Sequence, residues 1–156
     1  MNIDLACEDD LVEILKLQKD CYQEEAAIYD DYNIPPLTQT LESIHADFKM
    51  ETFLKVTAND KIIGSVRGYI ENQTCKIGRL IVHRDFRNRG LGKTLMRALE
   101  DELKEAKRFE LFTGNKSERN LRLYNNLGYH EIKRKSVNDK LELVFLEKIN
   151  DSKTKL

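Results

Sequence analysis

No apolar run in this chain of 156 residues approaches the roughly eighteen residues that a membrane-spanning helix needs. Its N-terminus carries Asp4, Glu8, Asp9 and Asp10 instead of a basic, then apolar, leader, so a soluble cytoplasmic protein is expected. Cysteine is scarce. Cys7, Cys21 and Cys75 are odd in number, widely spaced and without a C-x-x-C pair, which argues against a disulfide framework or a zinc site and for reduced thiols. An excess of one charge is also lacking: the net charge is −1, which removes any global case for nucleic-acid or membrane binding. Internal repeats and low-complexity linkers are missing. With 40% hydrophobic residues the length suits one domain with a sizeable core, residues 1–150, and a frayed tail at 151–156.

What is present centres on Lys76 to Lys104, KIGRLIVHRDFRNRGLGKTLMRALEDELK. It reads as a β-branched strand, a basic turn with Gly90 and Gly92, and a long amphipathic helix. Leu91, Leu95, Ala98, Leu99 and Leu103 fall on one helical face, with Arg97, Glu100, Asp101 and Lys104 expected to face water. The first N–H groups of a helix have no intrahelical partner and carry the positive end of the macrodipole, so such a turn suits an anion. Glycine removes the Cβ atoms that would hold the anion away from the backbone. From Arg84 to Arg97 the basic residues Arg84, Arg87, Arg89, Lys93 and Arg97 meet one acid, Asp85. In a nearly neutral chain, that concentration points to a polyanionic ligand.

Two ligand classes fit. Gly92-Lys93-Thr94 looks like the end of a nucleotide-binding P-loop, but that pattern requires glycine at position 87, where this chain has arginine. Nor does the next apolar strand, Phe109 to Thr113, end in the Asp that would help hold magnesium. The second pattern is Arg87-x-x-Gly90-x-Gly92, which resembles the Q/R-x-x-G-x-G/A signature of the GNAT superfamily of N-acetyltransferases. The preceding Leu80-Ile81-Val82-His83 is similar to that family's L-x-V strand end. Further on, Leu123-Tyr124-Asn125-Asn126-Leu127-Gly128-Tyr129 resembles its L-Y-x-x-L-G-[FY] run. Order and separation both agree, and the implied elements cover nearly the whole chain.

The remaining segments supply those elements. Residues 2–7 alternate like a strand, and Asp10-x-x-Glu13 looks like a helix start, with Leu11, Leu15, Gln18 and Tyr22 on one side and an end near Tyr29. Glu24, Glu25, Asp30 and Asp31 form an acidic stretch leading to Pro35-Pro36, where two prolines are expected to exclude helix. Thr38 is the expected cap of a short helix carrying Leu41, Ile44 and Phe48. Residues 53–58 and 61–67, around Asn59-Asp60, read as a hairpin. The second strand continues to Ile70 and turns at 71–73 into the strand before the glycines. After the long helix come a buried strand at 109–113, a helix at 118–126 capped by Ser117 and stopped at Gly128, and a hairpin of 130–134 with 141–146.

The resemblance implies an α/β fold with a mixed, mostly antiparallel sheet splayed at its centre, and acetyl-coenzyme A as cofactor. Its pyrophosphate is expected over the backbone of Asn88, Arg89, Gly90, Leu91, Gly92 and Lys93, with Arg87, Arg89 or Lys93 screening charge. Its pantetheine arm is expected along Leu80, Ile81 and Val82 like an added strand. A neighbouring N–H, that of Val82 for instance, would stabilise an oxyanion. Tyr124 is implied as the general acid, because a phenol with a pKa of about 10 stays protonated at neutral pH. Asn120 is a candidate contact to the pantetheine or phosphates, because the family's usual Asn is replaced here by Ser117; Asn115 is the other candidate. Glu71, Glu110 and His83 are candidate bases. The implied activity is acetyl transfer to a primary amine by direct attack in a ternary complex, the acidic 24–31 stretch either drawing a cationic acceptor or forming a solvated loop. A non-catalytic acyl-coenzyme A-binding module is the alternative, and the oligomeric state, a homodimer included, is left open.

Overall fold

The computed structural model describes residues 1–151. Seven strands, β1 (Asn2–Leu5), β2 (Thr52–Ala58), β3 (Lys61–Glu71), β4 (Thr74–Val82), β5 (Arg108–Gly114), β6 (His130–Ser136) and β7 (Glu142–Ile149), form one sheet in the order β1-β2-β3-β4-β5-β7-β6. Among the described residues five α-helices accompany it: α1 (Leu11–Tyr29), α2 (Pro35–Thr38), α3 (Leu41–Met50), α4 (Leu91–Glu102) and α5 (Glu118–Asn126). Every strand pair is antiparallel except β4 with β5. The α/β class, the mixed sheet and the flanking helices agree with expectation.

Period-two alternation sorts the core onto the two faces of the sheet. Leu54, Val56, Ile63, Val66 and Ile77 pack with Leu95, Met96 and Leu99 of α4 and Tyr124 and Leu127 of α5. Phe53, Ile62 and Ile81 pack instead with Leu11, Ile14, Leu15 and Leu17 of α1 and Ile44 of α3. Both helix families thus bury an apolar stripe against one sheet.

The feature that makes a site lies in β4. Only Thr74, Cys75 and Lys76 pair with β5, opposite Arg108, Phe109 and Glu110. Beyond them the β3–β4 register slips: Arg67 faces Gly78 but Ser65 faces Ile81, so Val66 alone opposes both Arg79 and Leu80. Arg79 takes φ +51° there, a left-handed conformation costly for a residue with a Cβ. A bulge bends its strand, and β4 swings away from β5. The seam is closed at one end and open at the other.

Several local expectations are corrected. Pro35 and Pro36 do not exclude helix; they occupy the first two positions of α2, where a missing N–H costs nothing. The cap of α3 is Thr40, whose hydroxyl accepts the Ser43 N–H at 3.1 Å, and not Thr38. Asp10 and Glu13 form no capping box on α1: Asp10 accepts the Cys7 N–H at 2.8 Å and pairs with Lys55, and Glu13 accepts the Ile62 N–H at 2.6 Å. Ser117 makes no side-chain cap to α5. Glu100 does not simply face water; it accepts the Tyr129 hydroxyl at 2.7 Å and the Lys148 ammonium at 2.9 Å. Gly128, at φ +97°, does stop α5. The expected fraying of the tail lies, from residue 152 onward, outside the described residues.

Candidate active site

The glycine turn brings backbone donors to the open end of the seam. Asn88 and Gly90 adopt φ +62° and +78°, winding the chain tightly into α4. Gly90 is the N-cap and has no side chain to offer, and the first intrahelical donor is the Thr94 N–H to the Gly90 carbonyl at 3.0 Å. The N–H groups of Leu91, Gly92 and Lys93 are therefore left without intrahelical acceptors, at the positive end of a twelve-residue helix. A Cβ on Gly90 would meet no atom within 4 Å, so what requires glycine is the backbone conformation and an uncovered surface. Such a cradle suits an anion.

A groove of about 670 Å³ runs from this turn between β4 and α5. Leu80, Ile81, Val82, Arg87, Asn88, Gly90, Leu91, Gly92, Lys93 and Asn120 all line it; of the cofactor-contacting residues expected from sequence only Arg89 does not. Arg89 lies over the Phe86 ring, 5.2 Å from its centroid. The edge of β4 is free here. The His83 N–H donates to the Ile63 carbonyl at 2.7 Å, and antiparallel ladders alternate, so the peptide groups of Val82 point to the side that β5 has left. The Val82 carbonyl accepts Arg87 Nε at 3.2 Å and the Cys21 thiol at 3.5 Å.

The side chains in the groove have found partners that the sequence does not announce. Arg87 Nη1 donates to both oxygens of Glu24, at 2.8 and 2.7 Å, so its guanidinium braces α1 against the turn. Three further cations, Lys116, Arg119 and Arg122, line the wall around the start of α5. Asn120 donates to Thr113 Oγ1 at 3.2 Å and to Glu25 Oε1 at 3.5 Å. The Ser117 hydroxyl donates to Glu25 Oε2 at 2.6 Å and shares a 2.8 Å hydrogen bond with the Tyr29 hydroxyl, which also accepts the Lys116 N–H. Asn115, the other candidate contact, instead pairs with Glu142 of β7. The acids 24 and 25 belong to α1 and are not in a solvated loop.

Tyr124 is buried, its ring 6.1 Å from that of Tyr129, and does not itself line the groove, although Leu123 beside it does. The Tyr124 hydroxyl makes no hydrogen bond among the described residues. Burial, followed by the nearby Tyr22 and the charge of Glu25, raises its pKa well above that of an ordinary phenol. The three base candidates read from sequence do not line the groove. Glu110 sits at the closed end of the seam, bonded to Lys76 and Arg108, and Glu71 is exposed at the end of β3. His83 accepts the Asp85 N–H through Nδ1 in the turn after β4. Three carboxylates do line the groove, Glu24, Glu118 and Glu25; Glu24 is paired with Arg87 and Glu118 is exposed, which leaves the half-buried Glu25. Its only sequence signal was membership of the acidic stretch.

A sheet parted beside an uncapped helix N-terminus, with a groove running along the parting, is the architecture of the acetyltransferase (GNAT) fold. The sequence model of the acetyltransferase (GNAT) family matches residues 11–129, and the chain belongs to that family. Among solved structures, the smu.2055 protein of Streptococcus mutans superposes with a TM-score of 0.83 at 15% identity, covering 96% of this chain and 99% of that one. A ribosomal-protein-alanine N-acetyltransferase from Brucella melitensis gives 0.75 at 19% identity, covering 96% and 99%. The putative acetyltransferase yncA of Salmonella typhimurium, solved with acetyl-coenzyme A, gives 0.74 at 18%, covering 97% and 94%. At such identities the likeness is one of fold. A curated Bacillus subtilis protein, YqkA, is 29% identical over 119 residues, 76% of this chain; the chain spans about a third of that protein's length. No helix among the described residues is long and apolar enough to cross a membrane.

Proposed function

We propose that this chain transfers acetyl from acetyl-coenzyme A to a primary amine within a ternary complex. The observation that carries the reading is a convergence in one groove of unpaired N–H groups at the α4 terminus with the edge of β4; Tyr124, next to the groove-lining Leu123, makes no hydrogen bond among the described residues. The cradle fits the pyrophosphate of coenzyme A, with Leu91, Gly92 and Lys93 donating from the backbone and Lys93, Arg119 and Arg122 supplying positive charge at the rim. Bound acetyl-coenzyme A supplies the acetyl group as a thioester. Leu80 and the Val82 N–H would pair with a pantetheine arm as an adjoining strand does, the Val82 carbonyl being taken by Arg87 and Cys21, and the Val82 N–H would polarise a carbonyl. Tyr124 keeps its proton at neutral pH and holds it at the phenol oxygen for the leaving sulfur. Confining amine and thioester in one groove removes much of the entropic barrier.

A non-catalytic acyl-coenzyme A-binding module needs the cradle but not the phenol, and a Tyr124 hydroxyl with no partner among the described residues favours the enzyme. Thermal unfolding with acetyl-coenzyme A, coenzyme A and magnesium ATP in parallel tests the reading, because a ligand selective for the folded state raises the midpoint. A rise with both coenzyme A forms and none with ATP is expected, followed by thiol release with a panel of primary amines. No rise at saturating acetyl-coenzyme A overturns the proposal, and a rise without turnover on any amine returns the binding module.

A further inference from the structure

Helix α1 changes its partner halfway along. Its first turns bury Leu11, Ile14, Leu15 and Gln18 against the sheet and α3, while Cys21, Tyr22, Glu25 and Ile28, at three- and four-residue spacing, line the groove. Glu25 is the half-buried carboxylate of that face. Its two oxygens receive only neutral donors, Ser117 Oγ at 2.6 Å and Asn120 Nδ2 at 3.5 Å. The groove does not lack cations, but Arg87 is taken by Glu24 and, among the described residues, no basic group comes within 4.0 Å of Glu25. A carboxylate oriented by neutral hydrogen bonds keeps its full charge for an incoming cation. That charge acts on Tyr22, Tyr29 and Tyr124, which places it beside the acid end of the reaction.

From this arrangement, and resting on the acetyltransferase reading, we infer that Glu25 is the anchor and proton acceptor for the acceptor substrate's primary ammonium. The step balances simply. One N–H bond of the ammonium breaks, an O–H bond forms on the Glu25 carboxylate, and the nitrogen keeps the electron pair it needs to attack. Glu25 then loses the proton to solvent. Ser117 and Asn120 are positioning residues: they fix the carboxylate rotamer, and Tyr29 in turn fixes Ser117.

The acceptor need not be known to test this. S-aminoethyl-coenzyme A carries an ammonium just beyond the sulfur, and S-propyl-coenzyme A is its neutral isostere. Calorimetric affinities are measured for both, with coenzyme A as reference, on the wild-type chain and on Glu25→Gln. The wild type is expected to prefer the ammonium form about tenfold, as a charge-assisted hydrogen bond predicts, and Glu25→Gln to lose that preference with coenzyme A affinity unchanged. No wild-type preference, or a preference that survives in Glu25→Gln, overturns the inference while leaving the acetyltransferase reading intact. Failure of coenzyme A itself to bind the wild type overturns that reading and this one with it. If Glu25→Gln does not fold, Glu25→Asp keeps the charge and withdraws it by one methylene; an undiminished preference there overturns the role of Glu25.

Discussion

The seam between β4 and β5 has two ends, and a carboxylate stands at each. At the closed end Glu110 is buried and receives Lys76 at 3.2 Å and Arg108 at 2.9 Å, while Arg108 also reaches Glu147 at 3.4 Å. At the open end Glu25 receives a hydroxyl and an amide but no cation. The first carboxylate is neutralised and ties β4 and β5 together where they pair. The second is held in place without being neutralised. Charge that its own neighbours have balanced does structural work; charge that they orient and leave unbalanced is available to a ligand. The same division separates Glu24, spent on Arg87, from Glu25 one residue on.

Chemistry should be confined to the open end. Tyr124→Phe removes one oxygen there and is expected to lower kcat by about a hundredfold or more, with coenzyme A affinity within about twofold, as measured by thiol release and calorimetry. An equal loss of affinity would show that the phenol serves binding and would blur the distinction. At the closed end Phe109, 2% exposed and opposite Cys75, carries packing alone. Phe109→Ala should cost about 3–5 kcal/mol in urea unfolding, with kcat at saturating ligand unchanged in the fraction that remains folded. Next in size is Gly90→Ala. The space for a methyl group exists, so the cost comes from φ +78°, about 1 kcal/mol or more, and from a Cβ over the cradle. Coenzyme A should bind about tenfold more weakly, with the unfolding midpoint moved only by a few degrees.

The open end was partly legible in the sequence, and the legible part is backbone. Arg87-x-x-Gly90-x-Gly92 spells a local conformation, so the positions of the turn, the free helix N-terminus and the β4 edge follow from residues adjacent in the chain. Sheet class and the apolar faces of α1 and α4 were readable for the same reason: periodicity is local. What could not be read was assembled across the chain. Glu25 meets Ser117 and Asn120 only through tertiary packing of α1 against the start of α5; those partners lie 92 and 95 residues away. Ser117 looked like a cap because its sequence context is a cap's context, yet its hydroxyl is drawn to tertiary partners. Glu110 was a reasonable base candidate on a strand near the right motif. What disqualifies it is the short β4–β5 pairing, which sets Lys76 and Arg108 around it at the wrong end.

The smallest effect sharpens the contrast from the closed end. Burial alone would raise the Glu110 pKa, but the hydrogen bonds and charges of Lys76 and Arg108 outweigh it and hold the carboxyl below its ordinary value. A carboxylate depressed in the folded state contributes stability that is fully present above its unfolded pKa, about 4.3, and is lost as pH falls through the lower folded value. Stability measured from pH 7 down to 3 should therefore decline below about pH 4.5, and Glu110→Gln should flatten part of that decline while costing about 1 kcal/mol at pH 7, since both partners keep access to water. The same variant should leave coenzyme A binding and the ammonium preference untouched. If Glu110→Gln instead weakened that preference, the two ends of the seam would be coupled, and charge balance at one carboxylate could no longer be separated from the availability of the other.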